Sequence, residues 1–192
     1  MRRLRLSFVT SFPVGENQPA LREAPRFVLA DVGCHLLDTA RALAGEMRVV
    51  GAVAQGDAAG YRGEHTATVL LRTDAGAAVV VELGYVSATE RERFPHTAAL
   101  VEGTRGSVEV DLRERVRVTA GGATRVTRVE RLDRPPPAWV DPQYAVAQEA
   151  LVPCLAHLAA ALRGAPCETS GAEYLKTLRL VEDAYAASGW TG

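Results

Sequence analysis

Lysine is almost missing from this chain. Among 22 lysines and arginines, Lys176 is the one lysine, so chemistry that calls for a lysine has a single candidate. Cysteine is scarce too. Cys34, Cys154 and Cys167 are odd in number and widely spaced, which makes neither a disulfide framework nor a C-x-x-C metal knuckle and fits a reduced, cytoplasmic setting. No run approaches the roughly 18 apolar residues that a membrane span needs. An excess of charge is lacking as well: 22 basic against 23 acidic residues leave a net charge of −1, with no electrostatic footing for nucleic acid or an anionic bilayer. Neither a G-x-G-x-x-G turn after a strand nor a P-loop occurs, so the sequence shows no means of holding a dinucleotide. Internal repeats and low-complexity segments are also absent.

What is present is a long β-rich middle between helical ends, within 192 residues expected to form a single domain spanning 1–192. "MRRLRLSF" alternates Leu4, Leu6 and Phe8 with Arg3, Arg5 and Ser7, the pattern of a half-exposed strand over Leu4–Thr10. "SFPVGENQPALREAPRF" reads as a loop. "LADVGCHLLDTARALAG" (Leu29–Gly45) reads as a helix with Asp31 as N-cap, Val32, Leu36, Ala40 and Leu43 as its apolar stripe, and Gly45 as its terminator. Seven further strands are expected, over Arg48–Gln55, His65–Thr73, Ala77–Val86, His96–Gly103, Ser107–Leu112, Arg115–Ala120 and Thr124–Arg131. Their separators, "TDAG", "GTRG", "RE" and "GG", are too short for parallel crossovers and require antiparallel pairing between neighbours. "AAVVVEL" is apolar on both faces and is expected to be covered on both. "DRPPPAWVDP" (Asp133–Pro142) is a stiff connector, and Asp141–Pro142 opens a helix that Pro153 should kink or split and that ends near Gly164. Ser170 and Glu173 form a capping box for the last helix, whose expected stripe is Leu175, Leu178, Val181 and Tyr185. The fold class is therefore α+β: a large, predominantly antiparallel (mixed) open sheet with helices on one face. The other face is left for a homodimer or higher oligomer.

Asp31 and His35 lie four residues apart, on one helix face, with Asp38 following. A carboxylate beside an imidazole suits general acid–base work; an N-cap aspartate and a surface histidine is the plain structural alternative. A metal site built from Asp31, His35 and His65 or His96 lacks any H-E-x-x-H-like spacing. Cys34 is adjacent to His35 but points about 100° away on a helix, which makes it a small buried thiol rather than a nucleophile.

Four segments in order resemble the C-terminal domain of the glucose–fructose oxidoreductase / inositol dehydrogenase / MocA (Gfo/Idh/MocA) family. They are "ADVGCHLLDTARALAGE", "GEHTATVLLRTDAGAAVVVELGY", "HTAALVEGTRGSVEVDL" and "ETSGAEYLKTLRLVEDAYAASGW", and together they cover most of Phe27–Trp190. The resemblance implies a substrate and dimerisation domain of an oxidoreductase acting on a sugar, cyclitol or other polyol. In that role His35 would be the acid/base, Asp31 its partner against substrate, and Asp38 a pocket or seam residue. It also implies an NAD(P)-binding Rossmann domain and an E-K-P lysine. Neither is in this sequence, and Lys176 does not match that motif. No cofactor is therefore expected on this chain itself, NAD(P) is implied for a two-domain enzyme, and a separate Rossmann subunit is one candidate partner. Two other readings stay open: a non-catalytic dimeric scaffold or partner subunit, and a cofactor-independent lyase or isomerase using the Asp31/His35 dyad.

Overall fold

The structure, a computed structural model, describes residues 1–56, 60–85, 87, 97–111, 115–128 and 145–192, with backbone only for 145–150. His96, the Asp133–Pro142 connector and the Asp141–Pro142 helix start lie outside the described residues. The chain divides into two compact units, Met1–Arg128 with Leu175–Gly192, and Val129–Tyr174.

The first unit is built on an eight-stranded sheet in the order β2-β3-β4-β1-β5-β6-β7-β8. The strands are β1 (Arg3–Val9), β2 (Met47–Gln55), β3 (Thr66–Thr73), β4 (Ala78–Gly84), β5 (Thr97–Glu102), β6 (Gly106–Val110), β7 (Arg115–Ala120) and β8 (Ala123–Arg128). All neighbours pair antiparallel except β1 and β4, which run parallel with Leu4 opposite Val79 and Phe8 opposite Leu83. The first strand thus wedges between two antiparallel meanders. Where "GTRG" was expected to be a turn, Gly103 N–H donates to Gly106 C=O at 2.9 Å.

One sheet face carries the core: Leu4, Leu6 and Phe8 of β1, Val69 and Leu71 of β3, and Val79, Val81 and Leu83 of β4 are all buried. Each such side chain contributes roughly 1.5–3 kcal/mol on leaving water. On the opposite face the registered residues are more open. Leu70 is 43% and Val53 68% exposed, and Val80 is only half-buried. The second face of "AAVVVEL" is not covered within the described chain; the sequence reading assigns that cover to a second copy. Between its apolar residues run cross-strand ion pairs: Arg5 to Glu82, bidentate at 2.8 and 3.1 Å, Arg3 to Glu102, and Arg117 to Glu109 at 3.7 Å.

Two short helices, α1 (Val14–Asn17) and α2 (Ala20–Glu23), occupy the segment expected to be a loop. A π-turn over Leu29–Gly33 leads directly into α3 (Cys34–Ala44), which ends at Gly45 with φ +82. The buried side of α3 is Cys34, Leu36, Leu37 and Ala40, while Leu43 is 49% exposed. In α5 (Gly171–Ser188) the buried residues are Thr177, Leu180, Val181, Ala184 and Tyr185. These fall at i, i+3, i+4, i+7 and i+8, a helical stripe. The expected stripe is corrected at Leu175 and Leu178, 54% and 37% exposed. A threonine takes the inward place because its hydroxyl is fully used: Thr177 Oγ1 donates to Asp38 Oδ1 at 2.8 Å and accepts from Arg41 Nη1 at 3.0 Å.

In the second unit, α4 (Ala145–Ala161) continues through Pro153, and Ser170 Oγ accepts the Glu173 N–H at 3.3 Å. The serine half of the expected capping box is therefore present.

Candidate active site

The segment bearing Asp31 and His35 departs from an ordinary helix at its start. An N-terminus leaves backbone amides to be satisfied from outside. Here the acceptor is Glu64 rather than Asp31. Its Oε2 accepts the Phe27 N–H and its Oε1 the Leu29 N–H, both at 2.9 Å, while its backbone carbonyl accepts the Val28 N–H at 3.1 Å. The expectation of Asp31 as N-cap is thereby overturned: Asp31 sits inside the π-turn, its own N–H donating to the Phe27 carbonyl at 2.8 Å. A π-turn holds one residue more than an α-turn and is frequent at functional sites.

Relieved of capping, the Asp31 carboxylate turns to a tyrosine. Tyr85, just beyond β4, donates its hydroxyl to Asp31 Oδ2 at 2.9 Å. Two rings contact that tyrosine, and a third backs one of them. Phe27 stacks on Tyr61 at 5.0 Å and on Tyr85 at 5.1 Å, nearly parallel in both cases, and Phe8 meets Tyr85 edge-on at 5.7 Å. Aromatic pairs in such geometries are worth about 0.5–1.5 kcal/mol beyond their burial. The Tyr85 N–H also donates to the His65 carbonyl at 3.0 Å. Gly63 allows the close approach of the segment before β3 to Phe27: a Cβ there would lie 2.6 Å from the Ala24 carbonyl and 2.8 Å from the Phe27 Cβ.

The predicted site residues are thus distributed as follows. Asp31 is half-buried and bonded to Tyr85; His35 is exposed at the first turn of α3. No hydrogen bond joins these two among the described residues. Asp38 is exposed, bound to Thr177 at 2.8 Å and 3.7 Å from Arg41 Nη1. Cys34 is buried, its thiol donating to the Asp31 carbonyl at 3.2 Å, as a small buried thiol should. Lys176 lies on α5, paired with Glu46 at 3.2 Å, and is not among the contacts of Asp31. The Arg41 guanidinium, and secondarily Lys176, holds the Glu46 carboxyl below the usual carboxylate range against the opposing effect of burial.

Sequence reasoning missed Glu64 and Tyr85, and read Tyr185 only as part of the buried stripe of α5, which it is. Tyr185 Oη donates to Glu64 Oε1 at 2.7 Å, and Arg26 covers its ring at 4.5 Å. Burial first, and then the Glu64 carboxylate, push the Tyr185 hydroxyl far above the usual tyrosine value. The only sequence signal for Glu64 is an acidic residue before an apolar strand, in "GEHTATV", and for Tyr85 an aromatic closing "VVVELGY".

An open, mostly antiparallel sheet with helices over one face, and a carboxylate–tyrosine pair with an exposed histidine beside it, defines an α+β domain that can offer acid–base groups to a small molecule. The GFO/IDH/MocA C-terminal domain profile matches residues 2–109, and the chain belongs to that family. It is 35% identical over 185 residues to a D-apiose dehydrogenase of Paraburkholderia graminis, covering 96% of this chain and 48% of that protein. A D-apiose dehydrogenase of Rhizobium rhizogenes is 33% identical over 192 residues, with 97% and 54% covered. Among solved structures, an oxidoreductase from Agrobacterium radiobacter in complex with NAD+, L-tartaric acid and magnesium superposes with a TM-score of 0.90 at 31% identity, over 98% of this chain and 54% of that one. A levoglucosan dehydrogenase in complex with NADH and levoglucosan shares the fold, with a TM-score of 0.72 at 16% identity, over 98% of this chain and 56% of that one. The chain spans about half the length of the curated relatives it matches.

The turn that leads into α3 does not fit a dinucleotide pyrophosphate. Dinucleotide folds set the pyrophosphate on helix N-terminal amides. Here the amides of Phe27 and Leu29 are already taken by the Glu64 carboxylate, and a buried negative group would repel a phosphate.

Proposed function

We propose that this chain is the substrate-binding, acid–base half of an NAD(P)-dependent sugar dehydrogenase whose dinucleotide is held by another domain. The observation that carries the reading is the Asp31–Tyr85 pair at 2.9 Å, fixed on a π-turn immediately before an exposed His35. With Oδ2 held by Tyr85, Asp31 Oδ1 is left to accept a substrate hydroxyl. His35, whose side-chain type ordinarily titrates near neutrality, takes the proton from the hydroxyl being oxidised and returns it in the reverse direction. Asp38 extends the polar rim one turn beyond His35 while bracing α3 against Thr177. Alone, the chain is inactive. The D-apiose dehydrogenase relatives make a branched pentose such as D-apiose the first substrate to try. The open sheet face serves a homodimer: its apolar residues run between satisfied ion pairs, the composition of a surface that can be covered without stranding charge.

The test is a fusion of this chain behind the cofactor domain of the P. graminis relative, assayed for NAD+- or NADP+-linked oxidation of D-apiose and related polyols. Turnover is expected, with His35→Asn lowering kcat by roughly 10²–10⁴-fold, the usual size of a general acid–base contribution. A folded fusion that His35→Asn leaves equally active would refute the assignment and favour the scaffold reading. Tight NAD+ binding by the 192-residue chain alone would refute the division of labour.

A further inference from the structure

Glu64 is fully buried, at 0% exposed, and the proposed proton transfer makes no use of it. A buried carboxylate is costly unless its oxygens are satisfied. Both oxygens here are engaged, and each donor belongs to a different part of the site's frame. Phe27 N–H is the amide of the ring that stacks on Tyr85, Leu29 N–H opens the π-turn, and Tyr185 O–H comes from the closing helix α5. One residue on, the His65 carbonyl receives the Tyr85 N–H. The Glu64–His65 segment just before β3 therefore holds both partners of the Asp31–Tyr85 hydrogen bond: the turn that carries Asp31 through a side chain, and Tyr85 through the backbone.

We infer that Glu64 is a positioning residue for this site: its carboxylate, locked by Tyr185, sets the π-turn and so the placement of Asp31 against Tyr85 and His35. Charge-assisted bonds are the appropriate device, since they are shorter and roughly twice as strong as neutral ones. Glutamine in this place would fill the same volume but turn an NH2 group toward a backbone N–H, so one of the two turn amides would face a donor and the turn would relax. The inference rests on reading Asp31 and His35 as the site, but its test reads geometry without turnover.

The experiment is a double-substitution cycle on the 192-residue chain, followed by the NMR resonances of the Tyr85 ring. In the wild-type background Asp31→Asn should shift the Tyr85 ring signals, because the phenol loses its charged acceptor. In the Glu64→Gln background, with folding verified by the dispersion of the β-sheet amides, the same Asp31→Asn change should leave Tyr85 unmoved. A purely stabilising role for Glu64 would lower the unfolding midpoint and leave that coupling intact. Equal shifts in the two backgrounds, or none in either, overturn the inference. Should Glu64→Gln fail to fold, Tyr185→Phe replaces it. That substitution keeps both amide bonds and removes the lock alone, so a reduced coupling supports the inference and an unchanged one overturns it. An inactive fusion enzyme, together with a Tyr85 shift that Asp31→Asn causes in the wild-type background and not in the Glu64→Gln background, would remove the functional reading and leave the positioning role standing.

Discussion

Replacing Tyr185 by phenylalanine should weaken the fold at neutral pH, and the loss should shrink in alkali. At pH 7 the substitution deletes the 2.7 Å hydrogen bond to Glu64 Oε1 and leaves two backbone donors on a buried carboxylate. A hydrogen bond to a charged group is worth about 1.5–3 kcal/mol, so that is the expected deficit. Burial and the Glu64 carboxylate raise the native Tyr185 hydroxyl well above its unfolded value, which is about 10. The protonated form is therefore the one the native state favours. Its stabilisation is complete below pH 10 and is lost as pH climbs, because the unfolded chain ionises while the native tyrosine stays neutral. By pH 11 the wild type should have lost about 1.4 kcal/mol to this residue, the linkage slope of one group over one pH unit. Phenylalanine cannot lose it. Urea unfolding of both proteins at pH 7 and pH 11 checks the reasoning, since the other tyrosines and the arginines are common to the pair and cancel in the difference. A gap that is the same or larger at pH 11 would refute the burial argument, and no gap at pH 7 would refute the value placed on the hydrogen bond.

Two other outcomes follow from the packing. Gly63→Ala should cost about 1–3 kcal/mol, the usual penalty of overpacking, because its Cβ would meet the Ala24 carbonyl at 2.6 Å. Gly51→Ala, with nothing within 4 Å, should cost far less, and thermal unfolding of the two variants shows whether that order holds. On the open face, sedimentation at micromolar concentration should find the wild type dimeric and Leu70→Arg monomeric. Leu70 is 43% exposed in the single chain, and such surface changes stay within about 0.5 kcal/mol of neutral for the monomer. A monomeric wild type would remove the dimer from the proposal.

The eight strands were legible because their information is local. Alternation in "RLRLSF", the paired valine-rich runs around "TDAG", and "RVRVTA" followed by "GG" each name a strand and its turn without help from elsewhere. The location of β1 was not legible. Its partners lie at Ala78–Gly84 and Thr97–Glu102, and no turn connects it to either. The helix stripes were half-read: apolar content pointed to Leu43, Leu175 and Leu178, whereas the molecule buries Leu37 and hides Thr177 by satisfying its hydroxyl twice. The π-turn escaped for a related reason, since its amides are satisfied by a side chain 35 to 37 positions away. Family resemblance placed Asp31, His35 and Asp38 together, and the structure supplied what spacing could not: Asp31 bonds to Tyr85, and Asp38 to Thr177.

The parallel wedge of β1 bears on how the molecule assembles. The β2–β4 and β5–β8 meanders close over turns or short separations, and such contacts form early because little chain entropy is lost in making them. The join between them is different in kind. Arg3 lies opposite Ala78 on one side and Glu102 on the other, so two distant edges must wait for the same seven-residue strand. Until it arrives, β4 and β5 each present a bare edge, the condition under which strands pair with the wrong neighbour. Insertion of β1 is therefore predicted to complete the sheet, and conditions that slow it should favour aggregation over folding.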